Sequence, residues 1–237
     1  MPIAFELDPG MDMMRPVARL WQLIWLAAFG SVFAQAHATP LIDAAARGEI
    51  AAVQRLLQTG ADVNARDERK RNAVLAATQG GHTEVARLLI ARGADVNAQD
   101  DRQDSAFLLA GARGLTEIAR LALAARANLK LTNRYGGTAL IPACHYGHVE
   151  TVRLLVSSGI DINHVNNLGW TALLEAVILG DGGPRHQEIV QLLIAHQADV
   201  NLPDKQGVTS LAHAVQMRQS AVEALLRRAG AMDSGRR

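Results

Sequence analysis

The feature that most constrains this chain is a 33-residue period that runs through most of its length. The segment Gly60–Asn64, read as GADVN, returns 33 residues later as Gly93–Asn97, and related text follows at 159–163 and 197–201. Glycines at another position of the period also lie 33 residues apart: Gly48, Gly81, Gly114, Gly147 and Gly180. Such a period indicates a solenoid, in which each unit buries its apolar face only against its neighbours.

Each unit carries apolar residues at helical spacing shortly before the GADVN-like text. Val53, Leu56 and Leu57 lie at i, i+3 and i+4, a spacing that lines one face of a helix. Glycine follows this helix in most units and predicts a left-handed helix C-cap, whereas Arg126 and Gln197 predict less comfortable caps. The predicted units cover residues 39–66, 67–99, 100–132, 133–165, 166–203 and 204–232.

The period and text resemble the ankyrin repeat. Matching openings are Thr39-Pro40-Leu41, Thr138-Ala139-Leu140, Thr171-Ala172-Leu173 and Thr209-Ser210-Leu211. The resemblance implies an all-α repeat solenoid over residues 39–232, with about six units of helix-turn-helix plus a β-hairpin finger. It also implies binding to another protein through the finger tips and the concave face of the first helices. The last unit reads as a cap, with Arg218 at the turn-glycine position.

Residues 1–38 have the layout of a secretory signal peptide. Arg15 and Arg19 precede an apolar run over residues 20–33, and small residues follow up to Ala38. The run is shorter than the ~20 residues that a membrane span needs. We therefore expect export, cleavage after Ala38, and no membrane span in the mature protein.

The two ends of the chain allow more than one interpretation. Cleavage after Ala36 is an alternative, and so is an uncleaved anchor. Translation could begin at Met11, Met13 or Met14, because an acidic leader before the basic segment is unusual. Residues 233–237 are expected to form a polar tail.

Composition and motifs argue against several functional classes. The formal net charge of +1 does not favour nucleic-acid binding, which usually needs a clustered basic face. The sequence contains no glycine-rich phosphate loop, nucleophile elbow or zinc-protease motif. We expect no catalytic residue, no cofactor and no metal, and an enzyme is the least favoured hypothesis.

Histidines and the single cysteine are interpreted as structural. His82, His148 and His186 occupy one repeat position, so neighbouring copies lie one repeat apart, too far for one zinc ion. Cys144 and His145 are adjacent on a predicted helix and point about 100° apart. Cys144 is therefore predicted to be a buried small side chain rather than a nucleophile.

The fifth unit carries five extra residues, Asp181–Arg185. Gly-Gly-Pro does not continue a helix, so we predict a protruding loop, either a tolerated insertion or a functional element. The stretch from Trp170 to His186 resembles a segment of exported ankyrin proteins of Gram-negative bacteria. That resemblance implies a periplasmic location, and some members are linked to peroxide tolerance alongside a catalase.

Aromatic side chains concentrate in units four and five, where we predict the partner-binding patch. Interfaces favour Trp, Tyr and Arg because these side chains bury much area and still offer polar groups. Trp170 and Tyr135 could instead pack across neighbouring fingers. The candidate binding residues are Tyr135, His145, Tyr146, Trp170, Glu175, Leu179 and Arg185.

Two functions use this patch equally well. The first is a monomeric periplasmic scaffold that binds an envelope protein and protects or stabilises it. The second is an immunity-type inhibitor of a toxic enzyme. The residues do not separate the two hypotheses, and they do not name the partner.

Overall fold

The structure, a computed structural model, describes residues 40–232. The predicted signal peptide, its cleavage sites and the predicted tail over residues 233–237 lie outside the described residues. Within them, twelve helices form six helix-turn-helix units, which confirms the all-α ankyrin fold predicted from the period. The helices are α1 (40–46), α2 (Ile50–Gln58), α3 (Ala73–Gly80), α4 (Thr83–Ala91), α5 (Ala106–Ala112), α6 (Thr116–Ala124), α7 (Leu140–His145), α8 (Val149–Val156), α9 (Ala172–Ile178), α10 (Pro184–Ala195), α11 (Ser210–Gln216) and α12 (Ser220–Arg228).

The units stack in register. First helices contact first helices from α3 to α11, and second helices contact second helices from α2 to α12. Apolar side chains between the two rows form two buried clusters, one centred on repeats one to three and the other on repeats three to six. None of the helices in residues 40–232 is long and apolar enough to cross a membrane.

The Asn that ends each GADVN-like text ties one repeat to the next. The Oδ1 atom of Asn64 accepts a hydrogen bond from the backbone N–H of Asp95 at 2.7 Å. Asn97, Asn163 and Asn201 accept the equivalent bond from the following repeat. Repeat three has Lys130 at this position, and a lysine side chain cannot accept a hydrogen bond. The junction between repeats three and four therefore lacks a bond that the other junctions from repeat one to repeat six share.

Each finger is a tight turn built around an Asp or Asn side chain. In repeat five, Asn166 Oδ1 accepts the backbone N–H groups of Leu168 at 2.9 Å and Trp170 at 3.0 Å. The matching residues that make the same two bonds are Asp67, Asp100, Asn133 and Asp204. No strand is assigned within residues 40–232, so the fingers are side-chain-supported turns rather than the β-hairpins that the resemblance implied. The turn is too short for a ladder of paired strands.

The extra residues of repeat five do not all form a loop, so the prediction for Asp181–Arg185 was partly wrong. Pro184 and Arg185 begin α10, which has 12 residues, whereas α8 has 8. Proline suits the first helical position because the N–H that it lacks has no partner within the helix. Gln219 of repeat six fixes the remaining loop through hydrogen bonds from Nε2 to carbonyl oxygens of repeat five.

The helix C-caps behave as the sequence predicted. Gly93 and Gly159 have φ of 84° and 85°, in the left-handed region. Arg126 and Gln197 are held in the same region, with φ of 62° and 68°, although their Cβ atoms disfavour it. The fold thus imposes one backbone geometry on every repeat, and two repeats adopt it without glycine.

Candidate binding groove

A groove of about 790 Å³ lies on the first-helix face of repeats three to five. Its walls are the first helices α5, α7 and α9 and the fingers that precede α7 and α9. Five of the seven predicted binding residues line this groove, which we call the aromatic groove: Tyr135, His145, Tyr146, Glu175 and Leu179. The stacking of first helices brings together side chains from sequence positions about 44 apart.

The rim of the aromatic groove is apolar and open to solvent. Tyr135 and Tyr146 are 54% and 55% exposed, and Leu168 and Leu179 are 51% and 43% exposed. The Tyr146 ring stacks on the ring of His145, with centroids 4.2 Å apart. Several large side chains therefore present apolar surface around one concavity without being buried by the chain itself.

The other two predicted residues lie elsewhere. Trp170 is half-buried at the end of its finger and does not line the groove. Arg185 is exposed near the start of α10, a second helix, and is also absent from the groove. The sequence placed Arg185 on a loop, but Arg185 lies in the first turn of α10, from where its charge, in addition to burial, contributes to lowering the pKa of His148.

Glu175 lies at the floor of the aromatic groove with only 6% of its surface exposed. Its Oε1 atom accepts a hydrogen bond from Asn166 Nδ2 at 3.1 Å. Burial raises the pKa of Glu175 to about 7, and the Asn166 bond opposes that shift only in part. Asp181 pairs with His186, with Oδ1 2.8 Å from Nδ1.

His145 does not neutralise this carboxyl group. The separation between His145 Nδ1 and Glu175 Oε2 is 3.6 Å, which is too long for a hydrogen bond. Burial, and then the charge of His186, lower the pKa of His145 below its ordinary value of 6.5. The His145 ring is therefore neutral at pH 7.

The wall formed by α7 has an unusual start. The side chains of Asn72, Ser105, Thr171 and Thr209 cap the first helices of repeats two, three, five and six. In repeat four the matching Oγ1 of Thr138 is buried with no partner, and the helix begins one residue later, at Leu140. Pro142 has no N–H to give to the Thr138 carbonyl, so the first turn lacks its usual bond.

Cys144 packs behind the same wall. Its side chain is fully buried in the core of repeats three to six. Burial, with a smaller contribution from Glu175, raises the pKa of the Cys144 thiol far above its ordinary value. The thiol is inert as a nucleophile at neutral pH, in agreement with the sequence interpretation.

The repeated histidines join one repeat to the previous one. His82 Nε2 donates to the carbonyl oxygen of Ala46, and His186 Nε2 donates to that of His145, both at 3.0 Å. Each bond connects the start of the second helix in one repeat to the end of the first helix in the previous repeat. Histidine at this position is structural, and no group of three or more metal-ligating side chains occurs in the part of the chain that the structure describes.

A second groove, of about 530 Å³, lies on repeats two and three, and we call it the charged groove. Arg71 Nε donates to Asp67 Oδ2 at 2.8 Å, and Arg71 also bonds the Gln79 side chain. Arg113 donates to the backbone carbonyl groups of Thr78 and Gln79. Two of the four arginines that line this groove, Arg71 and Arg113, are thus engaged by the chain itself.

Asn166 and Leu168 are part of the aromatic groove, yet they were absent from the predicted binding residues. The signal for Asn166 was available, because it occupies the 33-residue register of Asp67, Asp100 and Asn133. Its contact with Glu175 depends on how the finger folds onto α9. No sequence pattern predicts that contact.

The chain belongs to the ankyrin-repeat family. A family profile described as "Ankyrin repeats (3 copies)" matches residues 22–100, 73–166, 106–202 and 163–234. Such repeats form protein–protein interaction modules and are generally not enzymes.

Solved structures agree with this assignment. An ankyrin repeat domain from Acinetobacter baumannii AYE is 51% identical, covers 81% of this chain and 98% of its own, and superposes with a TM-score of 0.79. A second ankyrin repeat protein is 38% identical over 80% of this chain and 96% of its own, with a TM-score of 0.76. The ankyrin repeat domain of Bcl-3, a member of the IkappaB protein family, is 29% identical over 82% and 87%, with a TM-score of 0.73. No curated protein matches the chain.

Proposed function

We propose that this ankyrin-repeat protein is an exported, periplasmic module that binds an envelope protein through the aromatic groove and protects or stabilises it. The observation that carries the proposal is the set of four exposed apolar side chains around one concavity: Tyr135, Tyr146, Leu168 and Leu179. Contiguous exposed apolar surface in a folded protein marks interaction sites. Tyrosine also suits an interface because it buries a large area while its hydroxyl keeps a polar partner.

Two features of the sequence support the location. The leader over residues 1–38 has a basic segment, an apolar segment and small residues before Thr39. The stretch from Trp170 to His186 is similar to exported ankyrin proteins of Gram-negative bacteria. Because some of those proteins are linked to peroxide tolerance alongside a catalase, an envelope enzyme exposed to oxidants is the proposed class of partner.

The binding proposal is tested by crosslinked capture from the periplasm of the source cell. Wild-type mature protein should capture one partner, and Tyr146→Ala and Leu179→Ala should each lose it. Ile50→Ala is the matched control for Leu179→Ala, because Ile50 is similarly exposed but lies on α2, far along the stack. Trp170→Ala shows whether the interface extends to the finger. Equal capture by wild type and both groove variants would rule out the aromatic groove as the interface.

Export is tested separately by fractionation. We expect the protein in the osmotic-shock fraction, with Thr39 as its first residue by mass spectrometry. A protein that stays in the cytoplasm at full length would contradict the periplasmic part of the proposal and leave the groove untouched.

A further inference from the structure

The aromatic groove contains a buried carboxyl group that no cation within residues 40–232 neutralises. Glu175 is 6% exposed, and its Oε1 atom is bonded by the Asn166 amide. Among the described residues no donor forms a hydrogen bond with its Oε2 atom, and the nearest basic group there is the neutral His145 ring at 3.6 Å. Within residues 40–232, no Lys or Arg side chain forms an ion pair with Glu175.

In repeat six the side chains at the same two positions satisfy each other. There the finger residue is Asp204 and the helix residue nine positions later is His213, in the same register as Asn166 and Glu175. Asp204 Oδ2 lies 2.8 Å from His213 Nε2, so acid and base pair within one repeat. In repeat five the acid is on the helix and the finger offers only an amide. The base that would complete the pair is missing from repeat five.

The remaining charged groups of the groove are held elsewhere. Arg134 lies over the Tyr135 ring, with Cζ 4.7 Å from the centroid. Arg113 bonds backbone carbonyls of repeat two. His148 has its pKa lowered, chiefly by burial, and Asp104 has its pKa raised by burial and by Asp100. None of these groups supplies a positive charge at Glu175.

We infer that the Glu175 carboxyl group receives a cationic side chain, lysine or arginine, that a partner protein inserts into the aromatic groove. This inference rests on the proposed function, and it adds the chemistry of the partner residue. The groove suits such a side chain along its whole length. The aliphatic stem packs against Leu179 and Leu168 at the rim, and the exposed ring of Tyr146 offers a face to the cation. The charged end then reaches Oε2 and forms a charge-assisted hydrogen bond.

Binding of the partner's cationic side chain is coupled to the protonation of Glu175. Burial raises the pKa of the Glu175 carboxyl group to about 7, so that without a bound cation this group is about half ionised at neutral pH. A bound cation favours the carboxylate, so binding strengthens as pH rises through 7 and weakens below it. The other titratable groups facing the groove, His145, His148 and Asp104, remain in the Glu175→Gln variant, so pH dependence that persists in that variant is assigned to them.

The test uses small probes and NMR on the full mature protein. N-acetyl-lysine amide and N-acetyl-arginine amide should shift the resonances of Leu179 and Tyr146, whereas N-acetyl-norleucine amide, which has the stem without the charge, should bind more weakly. Glu175→Gln should weaken the cationic probes about tenfold, since a bond to a charged group is lost, and should abolish the pH dependence near 7. The two cationic probes show whether an ammonium or a guanidinium group fits better.

The Glu150→Gln control and the partner-capture experiment decide between the possible outcomes. Glu150→Gln removes an exposed carboxyl group on α8 and should leave probe binding unchanged. The inference is overturned if charged and neutral probes bind alike, if no probe shifts the groove, or if Glu175→Gln behaves as wild type. Partner capture separates this failure from that of the proposed function: a partner lost by Tyr146→Ala but kept by Glu175→Gln leaves the groove as the interface and removes only the cationic contact.

Discussion

Two grooves lie at similar places on the first-helix face: the charged groove of repeats two and three and the aromatic groove of repeats three to five. Their side chains have different roles. In the charged groove Arg71 bonds Asp67 and Gln79, and Arg113 bonds two backbone carbonyls. In the aromatic groove Tyr146 and Leu179 remain exposed, and Glu175 lacks a cation. The same scaffold therefore carries one surface that stabilises the fold and another that is left available to a partner.

The two regions also differ in their cores. The buried cluster of repeats one to three contains Leu89, and that of repeats three to six contains Leu155. Lys130 interrupts the series of asparagine hydrogen bonds at the junction between repeats three and four, inside the second region. Stability in a repeat stack is a sum of units and nearest-neighbour interfaces, so a weaker interface lets the two ends respond separately.

The largest effect is expected from truncating the two cores at one register. Leu89→Ala and Leu155→Ala should each cost about 2–5 kcal/mol of unfolding free energy, because each leaves a cavity where the leucine is fully buried. Hydrogen exchange should show repeats one to three opening first in Leu89→Ala and repeats four to six in Leu155→Ala. If both variants expose the same amides equally, the stack is one cooperative unit and the two regions do not open separately.

The next largest effect is expected from Arg71→Ala, and its contrast with Tyr146→Ala separates a role in stability from a role in binding. Arg71→Ala should lower the unfolding free energy by about 1–2 kcal/mol, since Asp67 and the finger that it supports lose a charged donor. Tyr146→Ala should leave stability unchanged within about 0.5 kcal/mol because the ring is largely exposed. Chemical denaturation of both variants, beside partner capture, measures the contrast. A Tyr146→Ala variant that unfolds as easily as Arg71→Ala would show that the aromatic groove also stabilises the fold.

Glu175→Gln should change how stability depends on pH. The folded pKa of about 7 lies above the ordinary 4.5, so Glu175 favours folding most below pH 4.5 and loses that contribution as pH rises to 7. Across this window wild type should lose about 1–2 kcal/mol relative to Glu175→Gln, less than full linkage because the groove is open to water. Thermal unfolding at several pH values checks this, with Glu150→Gln as the control that should track wild type.

The smallest effect is expected at the junction between repeats three and four. Lys130→Asn should restore the missing asparagine hydrogen bond and raise the unfolding free energy by about 0.5–1.5 kcal/mol. It should also bring the opening of the two halves closer together in hydrogen exchange. Unchanged stability would mean that the junction is already held by other contacts, such as the 2.7 Å bond between the hydroxyls of Thr116 and Thr151.

Much of the fold was predictable because the period carries it. Repeat boundaries, the helical faces, the structural histidines and the caps all recur at one register, so each copy supports the interpretation of the others. The prediction failed where one copy departs from the rest. Pro184 starts a helix instead of ending a loop, because a helix N-terminus tolerates a missing N–H and a helix interior does not.

The candidate site was predictable in its parts but not in its arrangement. Tyr135, Tyr146 and Leu179 stood out as large side chains at first-helix and finger positions. Trp170 and Arg185 looked equally suitable, yet neither side chain lines the groove. A side chain's direction depends on the local backbone, which a pattern averaged over repeats does not record.

By itself the sequence determined the stack: a unit of 33 residues with one apolar face has no stable alternative to packing against its copies. Only the tertiary structure decided that Glu175 would be buried beside Asn166 without a cation, while Asp204 in the next repeat found His213. The physical reason is that periodicity specifies which residues share a register. The free energy of a charge depends on desolvation and on partners within a few ångströms, which here follow from how each finger folds onto the helix of its own repeat.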